Sequence, residues 1–193
     1  MFLDISAIIN RKKQKKDNSG FGIYEVYDNN TVISILKGID QKKPGAVFFE
    51  KFSEPENNGS IFVATKDTAE IMSCFKANKN LFPADVVPCF LGNGQLVIVK
   101  KEEPATINQK HITDLSVRVN KFISTISITF NEEGKQKFAV LSKANTMKML
   151  ARMYGNRLIS CPRVLSEIPS GRVEVTGDFH WIDLVEIAIS IKE

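Results

Sequence analysis

Histidine and cysteine, the ligands of most transition-metal sites, are scarce in this chain. The two histidines, His111 and His180, are far apart and belong to no HxxxH or HxxE arrangement, and the three cysteines, Cys74, Cys89 and Cys161, form no CxxC. A metal centre would have to be assembled from unrelated loops. No serine sits in a GxSxG turn, and Gly92-Asn93-Gly94 lacks the lysine and following helix of a phosphate loop. Long apolar runs are also missing. Stretches such as Leu96 to Val99 are strand-sized, whereas roughly 20 residues are needed to span a bilayer. An odd number of thiols cannot all pair, which points to a reducing compartment or to burial as small hydrophobes. Cys161, beside Pro162 and near Arg157 and Arg163, has the neighbours of a lowered thiol pKa, but its strand setting favours burial.

With metal, phosphate-loop and serine-nucleophile chemistry unsupported, the remaining content is structural. The chain has 193 residues, 43% hydrophobic and 25% charged, enough to bury a core without staples as one globular unit or two small lobes. The net charge of +4 is concentrated in the run Arg11-Lys12-Lys13-Gln14-Lys15-Lys16, without which the remainder is about neutral. Such a run reads as a solvated arm. Phe2, Leu3, Ile5, Ile8 and Ile9 before it also allow an apolar helical face leading into a patch for an anionic membrane surface. Nucleic-acid binding through Arg11, Lys12, Lys13, Lys15 and Lys16 is the weaker alternative, since Tyr24 and Tyr27 point to opposite faces of their strand. A signal peptide places its cations before the apolar core; here they follow it, so a cytoplasmic location is expected, with periplasmic or membrane-associated placement as the alternative.

Three segments are expected: a basic arm over 1–20, a small α/β lobe over 21–59 and a larger domain over 60–193, with the polar stretch Ser53 to Gly59 as the boundary. Ile23 to Tyr27 and Ala46 to Glu50 read as strands and Thr31 to Lys37 as a short helix. Ser60 to Ala64 reads as another strand, followed by a helix opened by Asp67 and Glu70 in a capping-box-like pattern, with Ile71, Met72 and Phe75 on one face. Gly92-Asn93-Gly94 joins Cys89 to Leu91 with Gln95 to Val99 as a hairpin.

The most specific pattern lies between Ile126 and Phe179. An alternating strand ends at Asn131, an N-cap residue, and a helix over Glu132 to Met147 begins with two acids suited to the positive end of its dipole. Phe138, Leu141 and Asn145 share one face. Asn145 invites a binding reading, but a buried amide more simply caps the exposed backbone of the next loop. Two short strands follow around Gly155-Asn156, then the Cys161-Pro162 stop, a turn at Pro169-Ser170-Gly171, a strand from Arg172 to Thr176 closed by Gly177, and a last helix over Trp181 to Ile191.

This order resembles the head portion of the first periplasmic domain of SecD and fused SecDF, accessory subunits of the bacterial Sec protein-export channel. The matching positions are Phe130, Glu133, Gly134, Phe138, Asn145, Ala151, Gly155, Ser160, Pro162, Ile168, Gly171, Gly177 and Phe179. Among them Gly134, Asn145, Gly155, Pro162, Gly171 and Gly177 are expected to define turns. The resemblance implies an α+β fold, a mixed or antiparallel sheet with helices on one face, and a non-catalytic module without a cofactor. It also implies a protein or extended polypeptide as partner. The family's ion-coupling residues lie in membrane helices and find no counterpart in these residues. Strand addition at an exposed sheet edge would suit such a partner, with Arg157 and Ile159 on one strand and Arg172, Val173 and Val175 on another as candidates. Arg157 and Arg172 can equally serve as gatekeepers against pairing.

Overall fold

The computed structural model describes residues 20–42, 61–119 and 124–177. Its centre is strand β1 (Phe21–Glu25), which pairs antiparallel with β4 (Ile107–Asn108) on one side and β7 (Leu150–Tyr154) on the other. Strand β8 (Arg157–Ser160) completes the sheet, in the order β4-β1-β7-β8. Both faces of β1 are covered, which explains its nearly continuous apolar sequence: Phe21 and Ile23 enter one core and Tyr24 another. The segment expected to begin a separate lobe therefore supplies the middle of a sheet shared with residues 107–160. The expected strand at 46–50, the boundary at 53–59, the basic arm and the last helix lie outside the described residues.

One core lies between this sheet, a second antiparallel sheet and helix α3 (Glu132–Ala144). The second sheet contains β5 (Ile112–Val119), β6 (Ser124–Phe130) and β9 (Arg172–Gly177), in that order. Its period-2 pattern is clear: Ile126, Ile128, Val173 and Val175 are buried, whereas Glu174 and Thr176 are exposed. Phe138 of α3 meets Phe130 edge-on, with ring centroids 5.5 Å apart.

The opposite face of the central sheet is covered by the hairpin β2 (Val86–Phe90) and β3 (Leu96–Lys100). Strand β3 is itself buried on both sides: Val97 and Val99 face Tyr24, Ala151 and Met153, while Leu96 and Ile98 join helices α1 (Asn29–Lys42) and α2 (Thr68–Ala77). Every pairing among the named strands is antiparallel, so the architecture is α+β.

Local differences from the sequence reading have identifiable causes. Residues 61–64 form no named strand, although the segment lies against the start of β3: Phe62 bridges Gln95, the Leu96 N–H donates to the Ile61 carbonyl at 2.9 Å and the Val63 N–H to the Gly94 carbonyl at 3.0 Å, a pairing too short to extend into a strand. Asp67 precedes α2 in right-handed helical geometry and its side chain caps nothing, so the capping-box pattern has no counterpart here. Helix α3 ends at Ala144, shorter than expected, because Asn145 terminates it and Met147 then turns to φ 65°.

A loop-walled cleft and two sheet edges

The start of α3 is held by contacts the sequence only partly announced. The Asn131 carboxamide accepts the Gly134 N–H at 2.8 Å, as its N-cap position predicts. Gly134 is needed for close approach: a Cβ there would lie 2.7 Å from the His111 Cβ. His111 is fully buried, its Nδ1 accepting the Asn108 N–H at 3.1 Å and its Nε2 facing Glu133 Oε1 at 3.4 Å. That pattern places the neutral ring's proton on Nε2. Glu133 also binds Lys137 at 2.7 Å; Lys137 first and then His111 hold its carboxyl below the usual range.

At the other end of α3, Asn145 performs the capping task and also bridges elements. Its Nδ2 donates at 2.9 Å to the Leu141 carbonyl and at 2.9 Å to Glu25 Oε1 of β1. Beyond it, residues 162–168 form a loop fastened to the body at several points. Val164 exchanges backbone bonds with Met147 (2.7 Å) and Lys148 (2.8 Å), and Arg163 Nη1 donates to the Met147 carbonyl at 2.6 Å. The Ile168 N–H donates to the buried Ser142 hydroxyl at 2.9 Å. The loop is thus a fixed wall, although Leu165 at its crest is 72% exposed.

Between this wall, α3 and the central sheet lies a cleft of about 260 Å³, lined by Ile23, Phe138, Leu150, Val164, Leu165 and Ile168 together with Arg152 and Arg163. Arg152 pairs with Ile23 across β1 and β7 and lies on the face of β7 shared by Leu150. It is 9% exposed, and burial lowers its pKa to about 10, partly opposed by Cys161. Its Nη1 donates to the Glu174 carbonyl at 2.6 Å, and no carboxylate among the described residues pairs with it. The sequence reading missed Arg152 and Ser142. The available signal was a cation inside an otherwise apolar strand, Leu150-Ala151-Arg152-Met153.

The strands singled out for edge binding are both terminal in their sheets among the described residues: β8, with Arg157 and Ile159, and β9, with Arg172, Val173 and Val175. On β9 the Phe130 N–H donates to the Gly171 carbonyl, so the alternate residues 172, 174 and 176 turn their backbone groups to the free edge. Two of those groups are already used, the Arg172 N–H by Ser170 Oγ at 3.3 Å and the Glu174 carbonyl by Arg152. Among the expected turn residues, Gly155 and Gly171 have positive φ (59° and 65°) and Pro162 follows β8. Gly134 sits in the first turn of α3, Asn145 caps its end, and Gly177 is the last residue of β9, opposite Ser124. The thiols of Cys89 and Cys161 are buried and pushed up to about 11 and about 12, chiefly by burial, whereas Cys74 is half-buried; all three are free.

This α+β arrangement is shared with solved structures of SecDF. One, described as a membrane component that enhances protein export, superposes on 100% of this chain and 70% of its own with a TM-score of 0.52 at 16% identity. A second, SecDF in its super-membrane-facing form, gives a TM-score of 0.51 over 98% of this chain and 21% of that one. Residues 82–193, more than half of the chain, match the family model of the SecDF P1 head subdomain, and the chain belongs to that family. Its relatives include the protein translocase subunits SecD of Rhodothermus marinus, 30% identical over 64% of this chain, and of Sebaldella termitidis, 30% identical over 46%. The chain spans only 22% of the length of each.

The cytoplasmic location expected from the order of cations and apolar residues is overturned by this membership. SecD and SecDF are membrane-associated, and the head domain that this chain matches is periplasmic. No described helix is long and apolar enough to cross a membrane, but that fact concerns these segments alone.

Proposed function

We propose that this protein is an accessory module of protein export that holds an extended stretch of polypeptide in the cleft beside residues 162–168. The observation that carries the reading is the cleft itself: apolar walls from β1, α3 and β7, closed on one side by a loop whose backbone is already hydrogen-bonded. A preformed concavity costs little to order when a chain enters it. Family membership supports the export setting. Strand addition at β9 is the less favoured mode, because Arg152 and Ser170 occupy groups a new strand would need.

Titration with an unfolded, apolar-rich peptide tests this. Backbone amide resonances of Val164, Leu165 and Ile168 and of the Phe138 turn should shift together and saturate. Shifts confined to β8 or β9 would transfer the site to a sheet edge, and no shift at saturating peptide would refute polypeptide binding by this chain.

A further inference from the structure

We infer that the cleft beside Arg152 recognises a carboxylate carried by an apolar stretch of polypeptide, either an acidic side chain between apolar neighbours or a chain terminus. The inference rests on the polypeptide reading above and adds the chemistry of what is read. A guanidinium has five N–H donors, and a buried cation is costly unless an anion and further hydrogen bonds compensate it. Arg152 spends Nη1 on a backbone carbonyl, which satisfies a donor but does not neutralise the charge. The described residues lining the cleft include two arginines and no acid. Arg163 is exposed and tethered to the Met147 carbonyl, so it contributes positive potential at the mouth while Arg152 contributes it inside.

The ligand class follows from size and polarity. At about 260 Å³ the cleft is smaller than the roughly 300–1,000 Å³ usual for small-molecule and cofactor sites, so it suits one or two residues of a longer chain. Ile23, Phe138, Leu150 and Ile168 offer apolar surface for flanking side chains. A carboxylate matches the planar fork of Arg152 in a two-bond arrangement, and the low-dielectric surroundings strengthen that contact.

The test compares three N-acetylated pentapeptides on the 193-residue chain: Ser-Leu-Glu-Leu-Ser amide, its Gln counterpart, and the Gln peptide with a free C terminus. Affinities are measured together with the Nε–Hε resonance of Arg152. The Glu amide or the free-terminus peptide should bind on the order of tenfold or more tighter than the Gln amide and should move the Arg152 resonance. Whichever of the two is preferred identifies a side chain or a chain end as the source. Arg152→Met should abolish the preference, so that the three peptides bind alike, and Arg152→Lys should retain part of it. Equal wild-type affinity for all three peptides would overturn the carboxylate step alone, as would a preference surviving in Arg152→Met. Absence of binding by any of them would bring down the polypeptide reading and this inference together. The wild-type comparison decides the matter even if Arg152→Met fails to fold.

Discussion

Replacing Asn145 by Ala should show how α3 is tied to the central sheet. The side chain is 3% exposed and joins the last turn of the helix to β1 through the Leu141 carbonyl and the Glu25 carboxylate. The Leu141 carbonyl keeps the Asn145 backbone N–H at 3.1 Å, so losing the first bond costs little. The second bond has an ionised acceptor, a class worth about 1.5–3 kcal/mol. The Glu25 side chain is 43% exposed and also faces Lys100 at 3.7 Å, so water and the lysine recover part of that loss. The net expectation is about 2 kcal/mol, or roughly 4–8 °C in Tm for a chain of this size. Urea unfolding of the wild type, Asn145→Ala, Glu25→Gln and the double variant closes a cycle that should give a coupling of about 1 kcal/mol. Asn145→Asp should be worse than Ala at neutral pH, because it removes the donor and sets a second carboxylate against Glu25. A coupling near zero, or an Asp variant as stable as wild type, would refute the bridge.

Gly155→Val should cost on the order of 1–2 kcal/mol in chemical unfolding, because φ 59° forces a β-branched residue into left-handed backbone geometry; unchanged stability would mean that the turn relaxes without loss. In the native protein at pH 8 a maleimide should modify Cys74 well ahead of Cys89 and Cys161, whose buried thiols are raised to about 11 and about 12, and mass spectrometry after denaturation should find all three reactive. Asp28→Ala should lower stability by about 1 kcal/mol at pH 7, since Asp28 Oδ1 accepts the Thr31 N–H at 2.9 Å at the start of α1. Hydrogen bonds from Thr31 hold the Asp28 carboxyl below its ordinary range. Its contribution is therefore present above the unfolded-state pKa and lost as pH falls through the folded one, so wild type and variant should converge in acid.

Where local chemistry dictated structure, the sequence reading and the fold agree. Asn131 before two acids marked the start of α3, Gly92-Asn93-Gly94 marked the β2-β3 hairpin, and the alternation over 126–130 and 172–176 marked the inward faces of β6 and β9. Asn145, read as a cap more than a ligand, caps α3, but its bond to Glu25 joins residues 120 positions apart and no local pattern announces it. The cleft was illegible for the same reason. Arg152 looked like one more cation in a strand, and Ser142 like an ordinary helix serine.

By itself the sequence determined most of the element types from Phe130 onward, the punctuation between them and, through the pattern from Phe130 to Gly177, the family, because caps, turns and period-2 burial act over a few residues and need no partner. Only the tertiary structure decided that β1 runs through the middle of a sheet whose neighbours come from residues 107–108 and 150–154. It also decided that β3 is buried on both faces and that Arg152 is drawn under the 162–168 loop with no described acid beside it. Those outcomes depend on which surfaces exclude water together, and burial is a property of the assembled layers that no single segment carries.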